Sequence, residues 1–400
     1  MPLGFRALAL ALAGVSLLAS CSLPPTPEPL APESVVIEQV PRPEPVVPLP
    51  APEPEPIDPI QVRIDDEIAS TELRDKLAGL MVVTIAGMDS NRQLEFLQRV
   101  PAAGFLMLKG NLQGGPEAIR VFMDELQANQ EFPLLITVDQ EGSPIARIAG
   151  DEFPGARALG AGPVEETAAA FLDRQELVAS TGSNVNFGVV ADVSQGAGAY
   201  IHNRAFSTDT AVVSDHVRAA VGARVPGVAQ TVKHFPGHGM VFADTHKVVP
   251  SVDMPYDQWR AIHGEPFVAG IEAGAELVMM AHIRVTTISK DPASLSDDWI
   301  RILRDDLGFD GVIITDDLRM LKRSGEEAYQ DPATVMVQAL AAGNDLLMWA
   351  VDPASDPDYG TYDRILDALV QAVESGVVSE EQVDASLERV LRLRIGLEQD

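Results

Sequence analysis

Eight short apolar runs restrict what this chain can fold into. They are MVVTI at 81–85, GFLML at 104–108, LLITV at 134–138, VNFGVV at 185–190, QTV at 230–232, LVMM at 277–280, GVII at 311–314 and DLLM at 345–348. Their apolarity is continuous, not alternating, which suits strands buried on both faces and hence a parallel sheet. After each run comes a polar or glycine-containing turn and then a helix-like stretch. Such stretches include 116–129, 164–181, 210–223, 256–273, 296–307 and 332–342. Pro116 and Pro332 open two of them, a position where a missing N–H costs nothing. The alternation predicts an α/β protein, a single (β/α)8 TIM-like barrel over 61–400. A doubly wound sheet is the alternative, but no Gly-x-Gly-x-x-Gly follows the first run, which weighs against a dinucleotide site. There is no internal repeat, and the long 185–202 segment predicts an insertion.

The residues ahead of the barrel differ in kind. In 1–20 a single cation, Arg6, precedes an apolar run at 7–19 that is short for a membrane span and reads as a signal-peptide core. It ends Leu18-Ala19-Ser20-Cys21, which resembles a bacterial lipobox; an ordinary signal peptide with a stray cysteine is the alternative. The lipobox implies a lipidated Cys21, and several acyl chains on one residue give stable anchoring. By the same resemblance Ser22 favours the outer membrane, with the protein on the periplasmic side. Cys21 is the only cysteine, so no intrachain disulfide forms. Fourteen of the 38 residues in 22–59 are proline, with glutamates between them. A segment of that kind stays extended and reaches on the order of 100 Å, so 21–60 is expected to be a disordered tether. A proline-rich recognition site is the other reading. The net charge of −30 excludes nucleic acid as a partner and disfavours anionic headgroups. Protein partners are not legible.

The chemistry-bearing residues sit where the apolar runs end. A barrel gathers its active site from the loops at the C-terminal ends of its strands. After the third run come Asp139-Gln140-Glu141-Gly142 and Arg147; after the fourth, Asp192 and Arg204; after the sixth, His282; after the seventh, Asp316 and Asp317. The fifth run opens into KHFPGHGMVFADTH at 233–246, which holds Lys233, Asp244 and three of the chain's seven histidines. That concentration argues against a bland surface loop. A metal site on His234, His238 and His246 is a rival, although the prolines and glycines preclude a helical i, i+4 pair and no cysteine assists.

The 233–246 stretch resembles the signature loop of glycoside hydrolase family 3, specifically the NagZ-type β-N-acetylhexosaminidases, in which KHFPGHG is followed by a spacer and an Asp-X-His dyad. Here the dyad reads Asp244-Thr245-His246. Asp139-Gln140-Glu141-Gly142 resembles the family's Asp-Gln-Glu-Gly-Gly-Arg segment, which implies sugar binding by Asp139 and Arg147. Arg204 matches the arginine of the Asp-Arg-(Ser/Ala)-Phe turn, and Lys233 and His234 match the substrate-binding Lys-His pair. The run GFDGVIITDDL at 308–318 resembles the nucleophile strand, where the first aspartate, Asp316, attacks. The sequence also departs from the family. Ser143-Pro144 replaces Gly-Arg, Asn203 stands where aspartate is common, and Arg319-Met320-Leu321-Lys322-Arg323 replaces Ser-Met-Glu-Gly-Ala.

The resemblance implies a retaining hydrolase without cofactor or metal. It acts on terminal β-linked N-acetylglucosamine from peptidoglycan-derived glycans, through a covalent glycosyl-enzyme on Asp316. His246 is the candidate acid/base, since an imidazole both donates and accepts a proton near neutral pH. Asp244 orients it, as aspartate does in a serine-protease triad. The loop glycines are expected to let this dyad swing over the sugar. Family 3 β-glucosidases commonly take their acid/base from a second domain; this chain ends with its barrel, which fits a histidine on the barrel. Four alternatives stand beside this reading: substrate-assisted catalysis with Asp316 and Asp317 as supporting pair, phosphorolysis of the same substrates, an ordinary surface role for each group, and a catalytically inactive glycan-binding lipoprotein.

Overall fold

The computed structural model describes residues 58–128 and 130–398. The expected signal peptide at 1–20, Cys21 and nearly all of the expected tether at 21–60 lie outside the described residues.

The eight runs form eight strands: β1 (Met81–Val83), β2 (Gly104–Leu106), β3 (Leu135–Val138), β4 (Val185–Val190), β5 (Ala229–Phe235), β6 (Leu277–Met280), β7 (Val312–Thr315) and β8 (Leu347–Met348). They make one sheet in the order β7-β6-β5-β4-β3-β2-β1-β8, and every neighbouring pair is parallel. Met81 pairs with Leu347, and a backbone bridge joins Ile314 to Leu346, so the sheet curls into a nearly closed barrel. Every residue of all eight strands is buried. That is why the runs read as continuous apolarity: both faces are covered.

Strand ends differ from the runs for identifiable reasons. β5 continues past 230–232 through Lys233, His234 and Phe235, because ion pairing of Lys233 and hydrogen bonding of His234 make their burial tolerable. The run at 345–348 narrows to a two-residue strand. Asp345 lies outside it, wholly buried, with Arg304 at 2.5 Å and Arg389 at 3.1 Å as counterions.

The expected helices are present. Thr210–Gly222 starts where the Asp209 carboxylate caps the Ala211 and Val212 amides, and Pro332–Ala342 starts on an Asp331 cap and stops at Gly343, whose φ of 107° favours glycine. The 256–273 stretch is helical throughout but contains a π-helical segment, Arg260–Gly264; the 296–307 stretch contains another, Ile302–Asp306. Helix Pro59–Ser70 packs on the C-terminal helix Glu380–Gly396 and starts two residues before the expected domain boundary. No helix among the described residues is long and apolar enough to cross a membrane.

Three loop features position the site. A small antiparallel hairpin, Gln140–Gly142 with Ile145–Ala146, follows β3. Residues 191–209 after β4 contain no helix or strand, which is the insertion expected there. A short parallel pair, Ser251–Val252 with Arg284–Val285, ties the loop after β5 to the loop after β6.

Candidate active site

The C-terminal ends of β3, β4 and β5 carry a buried charge network. Lys233 Nζ lies 2.8 Å from Asp139 Oδ1 and 2.7 Å from Glu141 Oε1. Arg204 clasps the same Glu141 with two bonds, Nε to Oε2 at 2.9 Å and Nη2 to Oε1 at 2.7 Å. This fork-to-fork pairing fixes the guanidinium plane. Burial works to neutralise Asp139 and Glu141. The cations outweigh it, Lys233 foremost at Asp139 and Arg204 foremost at Glu141, and both carboxyls stay below their usual range. Burial likewise works against the Lys233 ammonium, but Asp139 and Glu141 raise its pKa. These groups are therefore charged, rigid and aimed, at the cost of desolvation that only mutual pairing offsets.

His234 is neutral, and its tautomer follows from its neighbours. Arg204 Nη2 donates to Nε2 at 3.0 Å, and a guanidinium cannot accept, so the ring proton sits on Nδ1. From there it is donated to Asp192 Oδ2 at 2.8 Å. Burial, then Arg204 and Lys233, hold the His234 pKa well below 6.5. Asp192 also accepts the backbone N–H of His234 and of His238. Burial pushes its carboxyl up to about 7 against those donors. Both ring nitrogens of His234 are thus committed within the protein.

The hairpin after β3 is held from beneath. Gln140 donates to Asp151 Oδ2 at 2.7 Å, while its amide oxygen accepts the backbone N–H groups of Arg147 at 2.8 Å and Ile148 at 2.9 Å. The buried side chain of Asp151 is in turn paired with Arg174, on the helix Val164–Ser180. A β-carbon at Gly142 would fall 2.4 Å from the Arg174 guanidinium, so glycine is needed there. Arg147 itself reaches Asp139 at 3.7 Å.

Asp316 and Asp317 end β7. The Asp316 backbone N–H is bonded to the Met280 carbonyl at 3.0 Å, and its Oδ1 accepts the Asp317 N–H at 2.7 Å. Asp317 points into the scaffold: Oδ1 accepts N–H from Ala350 at 2.9 Å and Arg319 at 3.1 Å. Burial raises its pKa to about 6. His282, after β6, supports this corner by bonding the Asp317 carbonyl at 3.0 Å through Nε2 and the Ser294 hydroxyl at 2.7 Å through Nδ1. The Asp316 side chain lines the cleft.

The loop after β5 delivers the dyad. Asp244 Oδ1 is 2.9 Å from His246 Nδ1 and accepts the His246 backbone N–H at 3.0 Å. Burial opposes the Asp244 charge, but these two bonds and Lys247 lower its pKa. His246 is 45% exposed, whereas Asp244 is 19% exposed behind it. The loop's glycines serve packing and backbone shape. Gly237 has φ 130°, and a β-carbon at Gly239 would lie 1.9 Å from the Val193 carbonyl oxygen. His238 is buried between them, donates or accepts at Thr245 Oγ1 at 3.1 Å, and is held neutral by burial, with its pKa lowered to about 4.

These elements enclose a cleft of about 330 Å³. Of the site residues read from the sequence, Asp139, Arg147, Arg204, Lys233, His234, His246 and Asp316 line it, and Asp244 stands behind His246. Glu141, Tyr200 and Asp317 also line it, as do Arg319 and Arg323 from the segment that departs from the family pattern. The sequence pattern alone assigns no role to Glu141 or Tyr200. Glu141 carried a signal, since it lies within the quoted Asp-Gln-Glu-Gly segment; Tyr200 carried none.

Comparison with known proteins places this geometry in context. The sequence family described as Glycosyl hydrolase family 3 N terminal domain matches residues 72–393. A β-hexosaminidase of Xanthomonas oryzae pv. oryzae is 37% identical over 254 residues, 60% of this chain and 75% of that protein. Among solved structures, a family 3 β-N-acetylglucosaminidase from Paenibacillus superposes with a TM-score of 0.74 at 31% identity, over 82% of this chain and 63% of that one, so this chain spans less than two thirds of that enzyme. A β-N-acetylhexosaminidase from Beutenbergia cavernae superposes with a TM-score of 0.71 at 26% identity, over 82% of this chain and 99% of that one.

Proposed function

Because this chain belongs to glycoside hydrolase family 3 and is a hydrolase of the β-hexosaminidase type, we propose that it removes terminal β-linked N-acetylglucosamine from peptidoglycan-derived glycans, with retention, using Asp316 as nucleophile and the Asp244–His246 dyad as acid/base. The observation that carries this reading is the 2.9 Å contact between Asp244 Oδ1 and His246 Nδ1 at the rim of the cleft that Asp316 lines.

In the first step an Asp316 carboxylate oxygen attacks the anomeric carbon. The bond to the leaving oxygen breaks, and the proton on His246 Nε2 moves to that oxygen. Asp244 keeps Nδ1 protonated and stabilises the imidazolium beforehand. In the second step His246 Nε2 takes a proton from water, whose oxygen attacks the anomeric carbon and displaces Asp316. Two inversions give net retention. In this reading Asp139, Lys233, Arg204 and Arg147 bind sugar hydroxyls, and His234, whose two ring nitrogens are engaged by Arg204 and Asp192, orients Arg204 for that contact. Their mutual pairing fits them to that task, because the groups are already oriented before substrate arrives.

The substrate-assisted alternative needs Asp317 to steer a 2-acetamido group, whereas its Oδ1 is engaged by two backbone N–H groups. Release of a chromophore from an aryl β-N-acetylglucosaminide tests the function, and no turnover would leave the inactive glycan-binding protein as the reading.

The location belongs to the same proposal. Leu18-Ala19-Ser20-Cys21 and the proline-rich 22–59 segment support a lipoprotein anchored at the outer membrane and facing the periplasm. Cys21→Ala should move the protein from the membrane to the soluble fraction of its host. A native protein that is already soluble contradicts the anchor.

A further inference from the structure

Among the described residues the exposed phenylalanine, tyrosine and tryptophan side chains are Phe242, at 56%, and Tyr200, at 38%. They come from different loops, and both flank the dyad. Phe242 precedes Asp244 by two positions, and Tyr200 lies in the 191–209 insertion. The two loops are joined backbone to backbone, Tyr200 N–H to the Phe242 carbonyl at 3.1 Å. The Phe242 ring rests over the other loop, so a β-carbon at Gly198 would touch it at 3.5 Å. Tyr200 lines the cleft. Its hydroxyl is 3.4 Å from His246 Nδ1, and the two ring centroids are 5.8 Å apart. Val248, two positions after His246, is also exposed, at 43%.

Exposed apolar surface gathered at the mouth of a cleft marks a contact site. Here the occupant is set by the chemistry of the neighbour. The leaving oxygen must come within hydrogen-bonding reach of His246, so the group that carries this oxygen lies beside Tyr200 and Phe242. A pyranose offers such rings an apolar C–H face while its hydroxyls stay in water. We propose that Tyr200 and Phe242 form the seat for the sugar ring on the leaving-group side of the scissile bond. The enzyme is then selective for glycans over glycosides with small aglycones. This rests on the reading of His246 as acid/base.

The test uses two donors with the same transferred N-acetylglucosamine: a β-linked disaccharide, and the β-fluoride, whose leaving group has no ring. Phe242→Ala should lower the ratio of kcat/KM for disaccharide over fluoride about tenfold, chiefly through KM, the scale expected for losing part of a ring's apolar contact. Phe242→Trp should restore the ratio, and Tyr200→Phe should keep it, because both retain the ring. A second measurement needs no turnover. In Asp316→Ala protein, the gain in affinity of disaccharide over free N-acetylglucosamine should shrink when Phe242→Ala is added. An unchanged ratio and an unchanged gain overturn the seat and leave the hydrolase standing. Failure of wild-type protein to cleave the fluoride, with neither sugar binding, overturns the hydrolase and the seat together.

Discussion

Arg174 Nε donates to Asp151 Oδ2 at 2.8 Å, and neither side chain is more than 1% exposed. This pair stands behind the hairpin that carries Glu141, because the same Asp151 oxygen accepts from Gln140, which holds the Arg147 and Ile148 amides. Removing one partner of a buried ion pair strands the other charge, at a cost of about 3–5 kcal/mol. Arg174→Met should lower the free energy of unfolding by that amount, seen as a lower denaturant midpoint with an unchanged m-value. In the folded fraction KM should rise more than kcat falls, since the hairpin positions groups proposed to bind sugar. A loss below about 1 kcal/mol in denaturant titration would show that the pair does not matter to the fold.

His263 gives a pH prediction. It is buried, Nδ1 has no hydrogen-bond partner among the described residues, and burial lowers its pKa from 6.5 to about 4. The unfolded chain therefore binds a proton below pH 6.5 that the folded chain refuses until about pH 4. Stability from this group is fully present above pH 6.5 and is lost as pH falls toward 4. The full loss is about 3 kcal/mol. Asp192 and Asp317, with raised pKa values, contribute in the opposite sense over part of that range, so the test is a difference between proteins. His263→Phe should lose less stability than wild type between pH 7 and pH 4.5. Parallel pH curves for the two proteins would rule the assignment out.

Asp316 should be indispensable. Asp316→Ala is expected to lose activity by about 10⁴-fold or more, as removal of a covalent nucleophile does. NMR of the first product formed by wild type should show the β-anomer. An α-anomer at early times would mean inversion, and with it a mechanism without the covalent intermediate.

Much of the scaffold was legible from sequence, for a physical reason. Parallel strands buried on both faces, such as β1 and β6, write themselves as unbroken apolar runs, and the ends of such strands locate Asp139, Asp192 and Asp316. What the runs conceal is pairing between distant segments. Lys233 and His234 extend β5 only because Asp139 and Asp192 meet them there, 94 and 42 positions earlier in the chain. Asp345 reads as part of a strand, whereas Arg304 and Arg389 bury it as a counterion beside one. The glycine at 239 has a steric reason the local sequence does not show, its contact with the Val193 carbonyl. Tyr200 has no local signal at all, because its place beside His246 depends on two loops converging.

The proposed mechanism turns on the Asp244–His246 dyad, and the leaving group tests it most directly. General acid–base help is worth about 10²–10⁴ in rate, and a good phenolate needs little of it. His246→Ala should lose about that factor on a β-linked disaccharide and far less in the glycosylation step from an activated aryl glycoside. Azide, which needs no base, should speed turnover of the variant and give the β-glycosyl azide. Asp244→Ala should follow the same pattern more weakly, since the imidazole remains but loses its 2.9 Å partner. The decisive measurement is the dependence of kcat/KM on leaving-group pKa in His246→Ala. A slope much steeper than wild type, with azide rescue, is the expected result; a uniform loss whatever the leaving group, without rescue, would contradict His246 as the acid/base.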